Sequence, residues 1–282
     1  MPTIDRPDGA AIYYEVRGSG FPLLLFAPGG VNSQVSFWPN SAINPFDYAD
    51  EFMVIGMDQR NAERSPAPLV APSWTQHFED QAAVLDELGV ERTLLWGGCI
   101  GVGYVMRFIM GAAAVAGAVG QGPDRLRRGV NSRETFFAMF RPAIDLARSG
   151  GMQAVVASAI ENPTFMRNNA AGPFAARIAA DPAFRAEALA LDPSEYERII
   201  RAYDEHIRGV HHPFMSVPES FVRGARRRCS SCPATTPSTP RSSPSGSAAR
   251  RPCPLPGRGL PLPEKIDATK QTIRAFLRQH AH

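Results

Sequence analysis

Residues 93 to 108 constrain this chain more than any other stretch: Thr93-Leu94-Leu95-Trp96-Gly97-Gly98-Cys99-Ile100-Gly101-Val102-Gly103, then Tyr104-Val105-Met106-Arg107-Phe108. An apolar run collapses into glycines around one cysteine and resumes with the texture of a helix. The pattern predicts strand, sharp turn and helix, with a thiol at the apex. A turn this tight strains the backbone of its central residue and leaves almost no room for a side chain two positions to either side. Gly97 and Gly101 meet that demand.

The G-x-C-x-G spacing is that of a nucleophile elbow, with sulfur in place of the usual serine oxygen. At the start of a helix, unpartnered backbone N–H groups favour a thiolate over a thiol, which makes Cys99 a candidate nucleophile. The same geometry aims the Ile100 N–H at the oxygen of a carbonyl attacked by the sulfur. The alternative is a buried structural cysteine in a glycine-rich turn, since free cysteine is among the most buried residue types.

Two further landmarks precede the elbow. Phe21-Pro22-Leu23-Leu24-Leu25-Phe26 reads as a buried strand ending in Ala27-Pro28-Gly29-Gly30. Phe52-Met53-Val54-Ile55-Gly56-Met57 reads as another, closing on Asp58-Gln59-Arg60-Asn61-Ala62-Glu63-Arg64-Ser65. On these residues the chain resembles the α/β-hydrolase superfamily, whose loop after the third strand reads His-Gly and whose loop after the fourth reads Asp-x-Arg-Gly-x-Gly-x-Ser. Pro28 stands where the histidine is common, and the resemblance gives the Gly30 N–H the role of second oxyanion donor. Asp58, Arg60 and Ser65 match the second loop, while Asn61 and Glu63 occupy its usual glycine positions. The cysteine at the apex resembles the dienelactone-hydrolase variant, which opens a lactone through a thiolate.

Ile12 to Val16 reads as an early strand. Gln76 to Leu88 reads as a helix with Phe78, Ala82, Leu85 and Leu88 on one side and Ser73 in a capping box. Strand, helix, strand in succession predicts right-handed crossovers and a mostly parallel, doubly wound α/β sheet, with ligands at the carboxyl ends of its strands. The expected organisation is a core over 1–130, an inserted helical cap over 131–215, and the rest of the core over 216–282. Within the cap, Asn162-Pro163, Asp181-Pro182 and Asp192-Pro193 each place a capping side chain before a proline at the first helical position. Phe136, Phe137, Met139, Phe140, Phe165, Met166 and Phe174 either line an apolar pocket over the nucleophile or pack the cap's own core. His211-His212, at the return to the core, reads as a hinge rather than a metal site.

The formal net charge of +3 is local in origin, because 225–261 holds seven arginines and no Asp, Glu or Lys. The remainder is weakly acidic, which gives no reason to expect nucleic acid as a partner. The first residues lack the basic and apolar regions of a signal peptide, and no apolar run is long enough to span a bilayer. The expectations are a cytoplasmic location, no membrane partner, no cofactor, no metal and a small-molecule substrate.

After the cap the pattern fails. Residues 225–261 carry eight prolines and only Leu255 and Leu260 as large aliphatics, too few for central strands. Three readings stay open: a disordered basic linker, a redox or zinc pair at Cys229 and Cys232, and translation out of frame. For the last, codons for Cys232 to Pro240 exist that, shifted by one base, read Leu-Pro-Gly-Asp-Asp-Pro-Phe-His-Pro. Residues 122–129 behave similarly. The resemblance calls for a catalytic acid and histidine in this region, and neither is assigned to a residue. The expected function is hydrolysis of an ester, lactone or similar activated carbonyl. The alternative is a catalytically impaired binding protein on the same fold.

Overall fold

The computed structural model describes residues 2–112, 114–122, 137–164, 168–208, 216–225 and 263–282. Six strands, β1 (Thr3–Asp5), β2 (Ala11–Arg17), β3 (Phe21–Phe26), β4 (Phe52–Met57), β5 (Thr93–Gly98) and β6 (Val115–Gln121), form one sheet in the order β1-β2-β4-β3-β5-β6. The pairs β1–β2 and β2–β4 are antiparallel; β3–β4, β3–β5 and β5–β6 are parallel. From β3 the chain goes to β4 on one side, and from β5 to β6 on the other. The strand order therefore reverses between β3 and β5, and the crevice beyond their carboxyl ends is where such sheets bind ligands. Phe26 stands in register with Gly97, so the loop after β3 emerges beside the elbow.

The central strands are apolar throughout because both faces are covered. Leu24, Phe26, Ile55, Met57 and Leu95 face one core, and Leu23, Leu25, Val54, Leu94 and Trp96 face the other. Helices α1 (Trp74–Glu87) and α2 (Gly101–Gly111) pack on the first face. On the second face lies the final helix α8 (Pro263–His280), with Leu277 fully buried. Lys270 pairs with Asp47 at 2.9 Å, and Arg274 reaches Asp50 and Glu51.

Helix α1 begins two residues before Gln76, because Ser73 and Gln76 complete the capping box around a start at Trp74. Its deepest stripe is Trp74, His77, Asp80, Gln81 and Val84; of the expected Phe78, Ala82, Leu85 and Leu88, Leu85 is buried and the other three are partly buried against the same core. The polar stripe turns inward because Asp80 meets Arg60 in a two-pronged ion pair, Nε to Oδ2 at 2.7 Å and Nη2 to Oδ1 at 2.8 Å. Strand β6 carries no sequence signal of its own. A Cβ on its Gly117 would stand 3.2 Å from both Phe276 of α8 and Leu94, a tight approach, and one on Gly120 would be in ordinary contact with Val102 of α2.

Beyond β6 lie helices α3 (Arg141–Glu161), α4 (Ala175–Ala180), α5 (Pro182–Ala190), α6 (Pro193–Arg208) and α7 (Glu219–Ala225). Asp181 caps α5 through the N–H groups of Ala183 and Phe184, and Asp192 accepts from the Ser194 N–H ahead of α6. Among the described residues, Pro163 and Thr164 are not helical, contrary to the expectation of a helix starting at Asn162-Pro163. Asn162 instead follows the end of α3, and its side chain accepts from Thr164 N–H at 3.2 Å in a local turn. The readings placed on 226–261, on 123–129, on His211-His212 and on Phe136, Phe165 and Met166 lie outside the described residues. No helix among the described residues is long and apolar enough to cross a membrane.

Candidate active site

Cys99 sits at the apex between β5 and α2 with φ of 52°, a left-handed conformation that only Asn61 shares among the described non-glycine residues. Its side chain is exposed, so the buried-thiol alternative does not describe it. The turn is held from two sides. Cys99 N–H donates to the Gln121 carbonyl at 2.9 Å, at the end of β6, and the Trp96 indole donates to the Gln121 side chain at 3.1 Å. A Cβ on Gly97 would lie 2.5 Å from the Gly101 carbonyl oxygen, and one on Gly101 would collide with the Phe26 carbonyl. The two glycines thus let α2 begin directly against the end of β3.

The loop after β3 turns through Gly29 and Gly30, with Gly30 at φ of 64°. The Gly30 carbonyl is pinned by two donors, Ser33 N–H at 3.0 Å and the Tyr104 hydroxyl at 3.1 Å. Among the described residues neither the Gly30 N–H nor the Ile100 N–H has an acceptor. Two unspent donors beside an exposed thiol make a site for a developing negative charge.

The residues after β4 brace this loop rather than enter the site. Asp58 Oδ1 accepts from Val35 N–H at 2.7 Å, Gln59 N–H donates to the Ser33 carbonyl at 2.8 Å, and Arg64 Nε donates to Asp58 Oδ2 at 2.7 Å. Ser65 Oγ donates to the Asp58 carbonyl and accepts from Tyr13 N–H. Asn61 stands at a usual glycine position and adopts the left-handed conformation, which asparagine tolerates better than other side chains.

His77 is fully buried, with Nδ1 at 3.2 Å from Gln59 Oε1 and its ring edge-on to Tyr104. Burial, with a smaller contribution from the Arg60 charge, pushes its pKa down to about 3. The folded protein therefore holds His77 neutral where the unfolded chain would bind a proton. This contribution to stability is complete above pH 6.5 and is lost as pH falls toward 3. Between pH 6 and 4 the wild type is expected to lose about 1.4 kcal/mol more per pH unit than His77→Gln, measured by urea unfolding at each pH; parallel curves would contradict it. His280 lies on α8 with its ring on Phe276, and the side chains of His206, His211 and His212 lie outside the described residues.

Phe140 and Phe174 are buried around Tyr203 of α6. Tyr203 escaped the sequence reading, although Tyr196, Ile199, Ile200 and Tyr203 form a clear buried stripe at helical spacing.

A family model described as alpha/beta hydrolase fold matches residues 22–167. No curated protein sequence matches the chain. Among solved structures, a thermophilic esterase from Thermogutta terrifontis is 18% identical over 99% of this chain and 97% of its own, with a TM-score of 0.50. An alpha/beta hydrolase from Sphaerobacter thermophilus is 18% identical over 78% of this chain and 77% of its own, with a TM-score of 0.46. The esterase from Rhodococcus sp. is 23% identical over 80% of this chain and 97% of its own, with a TM-score of 0.40.

Proposed function

Because this chain belongs to the alpha/beta hydrolase fold family, we propose that it hydrolyses a small ester, lactone or similarly activated carbonyl, with Cys99 as nucleophile. The observation that carries this reading is the exposed Cys99 in its left-handed turn, beside two backbone donors that no described residue uses. The Cys99 sulfur attacks the carbonyl carbon, and the oxygen takes up the electron pair as an oxyanion held by the N–H groups of Ile100 and Gly30. The oxyanion collapses, the bond to the leaving alkoxide breaks, and the alkoxide takes up the proton that the thiol lost. Water then attacks the thioester, releasing the carboxylic acid and restoring the thiol. Helices α3 to α6 act as the cap over this crevice.

A second reading has its own support. His77, the histidine next to the elbow's helix, faces Gln59 and Tyr104 and is held neutral in the core. A thiol and an oxyanion site without a histidine base would acylate once and deacylate slowly. Mixing the protein with p-nitrophenyl acetate and following nitrophenolate separates the two: sustained release over many equivalents is the expected result. One equivalent followed by a stall would make the chain an impaired relative instead.

A further inference from the structure

Tyr203 is only 4% exposed, yet it is not simply core. Its ring is gripped edge-on by Phe140, at a centroid distance of 5.4 Å, and by Phe174 at 6.3 Å. These contacts drive its hydroxyl to a point 2.8 Å from where a Cβ on Gly30 would stand, and Ile100 Cδ1 lies 3.9 Å from that same point. The hydroxyl therefore stands against the Gly30 side of the crevice, next to the residue that follows Cys99. Gly30 is held from below by Tyr104, whose hydroxyl donates to its carbonyl, and is met from above by Tyr203.

We propose that the Tyr203 hydroxyl is a third donor to the oxyanion formed when Cys99 attacks a carbonyl, an assignment that rests on Cys99 being the nucleophile. The hydroxyl of a phenol is a hydrogen-bond donor. The tyrosine keeps its proton throughout; it offers a hydrogen bond that strengthens as charge moves onto the oxygen. A donor already fixed by two aromatic neighbours needs no reorganisation at that moment, which is the condition under which such bonds accelerate a reaction most. The arrangement also gives the helical segment a part in the chemistry, because α6 carries the donor to a loop more than 170 residues earlier in the chain.

The test compares the full-length wild type with Tyr203→Phe in two reactions at Cys99. Acylation by p-nitrophenyl acetate builds an oxyanion and is followed by first-turnover nitrophenolate release. Alkylation by iodoacetamide displaces iodide at a saturated carbon, builds no oxyanion, and is followed by mass at Cys99. The phenylalanine keeps the ring between Phe140 and Phe174, so the elbow stays formed and the alkylation rate reports that it has. The expected result is acylation slowed about 100-fold, in the range for removal of one oxyanion donor, with alkylation within about twofold of wild type. Equal slowing of both reactions assigns Tyr203 a purely structural part and overturns the proposal, as does acylation unchanged by the substitution. Wild type that alkylates at Cys99 but never acylates there overturns the nucleophile reading, and the donor role with it.

Discussion

Replacing Cys99 with alanine is expected to lower kcat/KM for an activated ester by at least about 1000-fold while leaving the fold unchanged. Removing a nucleophile takes away the bond-forming step, and the residual rate comes from the oxyanion site alone. Stability should move by less than about 0.5 kcal/mol, because the side chain is exposed and the backbone strain at φ of 52° is shared by any L residue there. Cys229, Cys232 and Cys253 remain in the variant, so it also separates elbow chemistry from adventitious thiol reactivity. Turnover that survives the substitution would remove Cys99 from the reaction.

Asp80→Ala is expected to produce the largest loss of stability, about 3–5 kcal/mol. Both members of the Asp80–Arg60 pair are nearly inaccessible, and the substitution leaves a buried guanidinium whose other carboxylate, Asp8, is partly exposed. Burial raises the Asp80 pKa against the lowering by Arg60, and the Arg60 pKa is raised by its two carboxylates against desolvation. Asp80 and Arg60 are therefore the buried centre of a charged group that Arg6 and Asp8 complete at its partly exposed edge. Urea unfolding checks this, and replacing both with leucine and methionine should recover most of the loss, because the charges that lose a partner, Asp8 and Arg6, are partly exposed. A single variant within 1 kcal/mol of wild type would show that the pair is dispensable.

The parts of the fold visible in the sequence are those where local pattern and tertiary demand agree. Strands β3, β4 and β5 read as continuous apolar runs because both their faces are buried, and the glycines of the elbow announced a turn that no other residue could occupy. Strand β6 is hard to read because it is built of small residues, Val-Ala-Gly-Ala-Val-Gly-Gln, whose two valines alone carry strand propensity. The inward face of α1 is only partly legible because polar His77, Asp80 and Gln81 share it with apolar residues: Asp80 answers Arg60, some 20 residues earlier, and periodicity of apolar residues carries no trace of an ion pair. At the proposed site, the motif spacing points to Cys99 and Ile100, and the resemblance to Gly30. Tyr203 was not, since a tyrosine in a buried stripe looks the same whether its hydroxyl ends in the core or at a reactive centre. The acid and histidine have no such pattern to follow, because 225–261, where the resemblance calls for them, departs from the texture of a folded chain.

The central claim, that the Cys99 sulfur forms a covalent bond to substrate carbonyl carbon, is tested most directly by trapping the intermediate. Brief reaction with p-nitrophenyl acetate, acid quenching and peptide mass mapping should find an added acetyl group on the peptide containing Cys99, sensitive to hydroxylamine as a thioester is. An acetyl group confined to Cys229, Cys232 or Cys253, or turnover with no adduct at Cys99 at any quench time, would contradict the account.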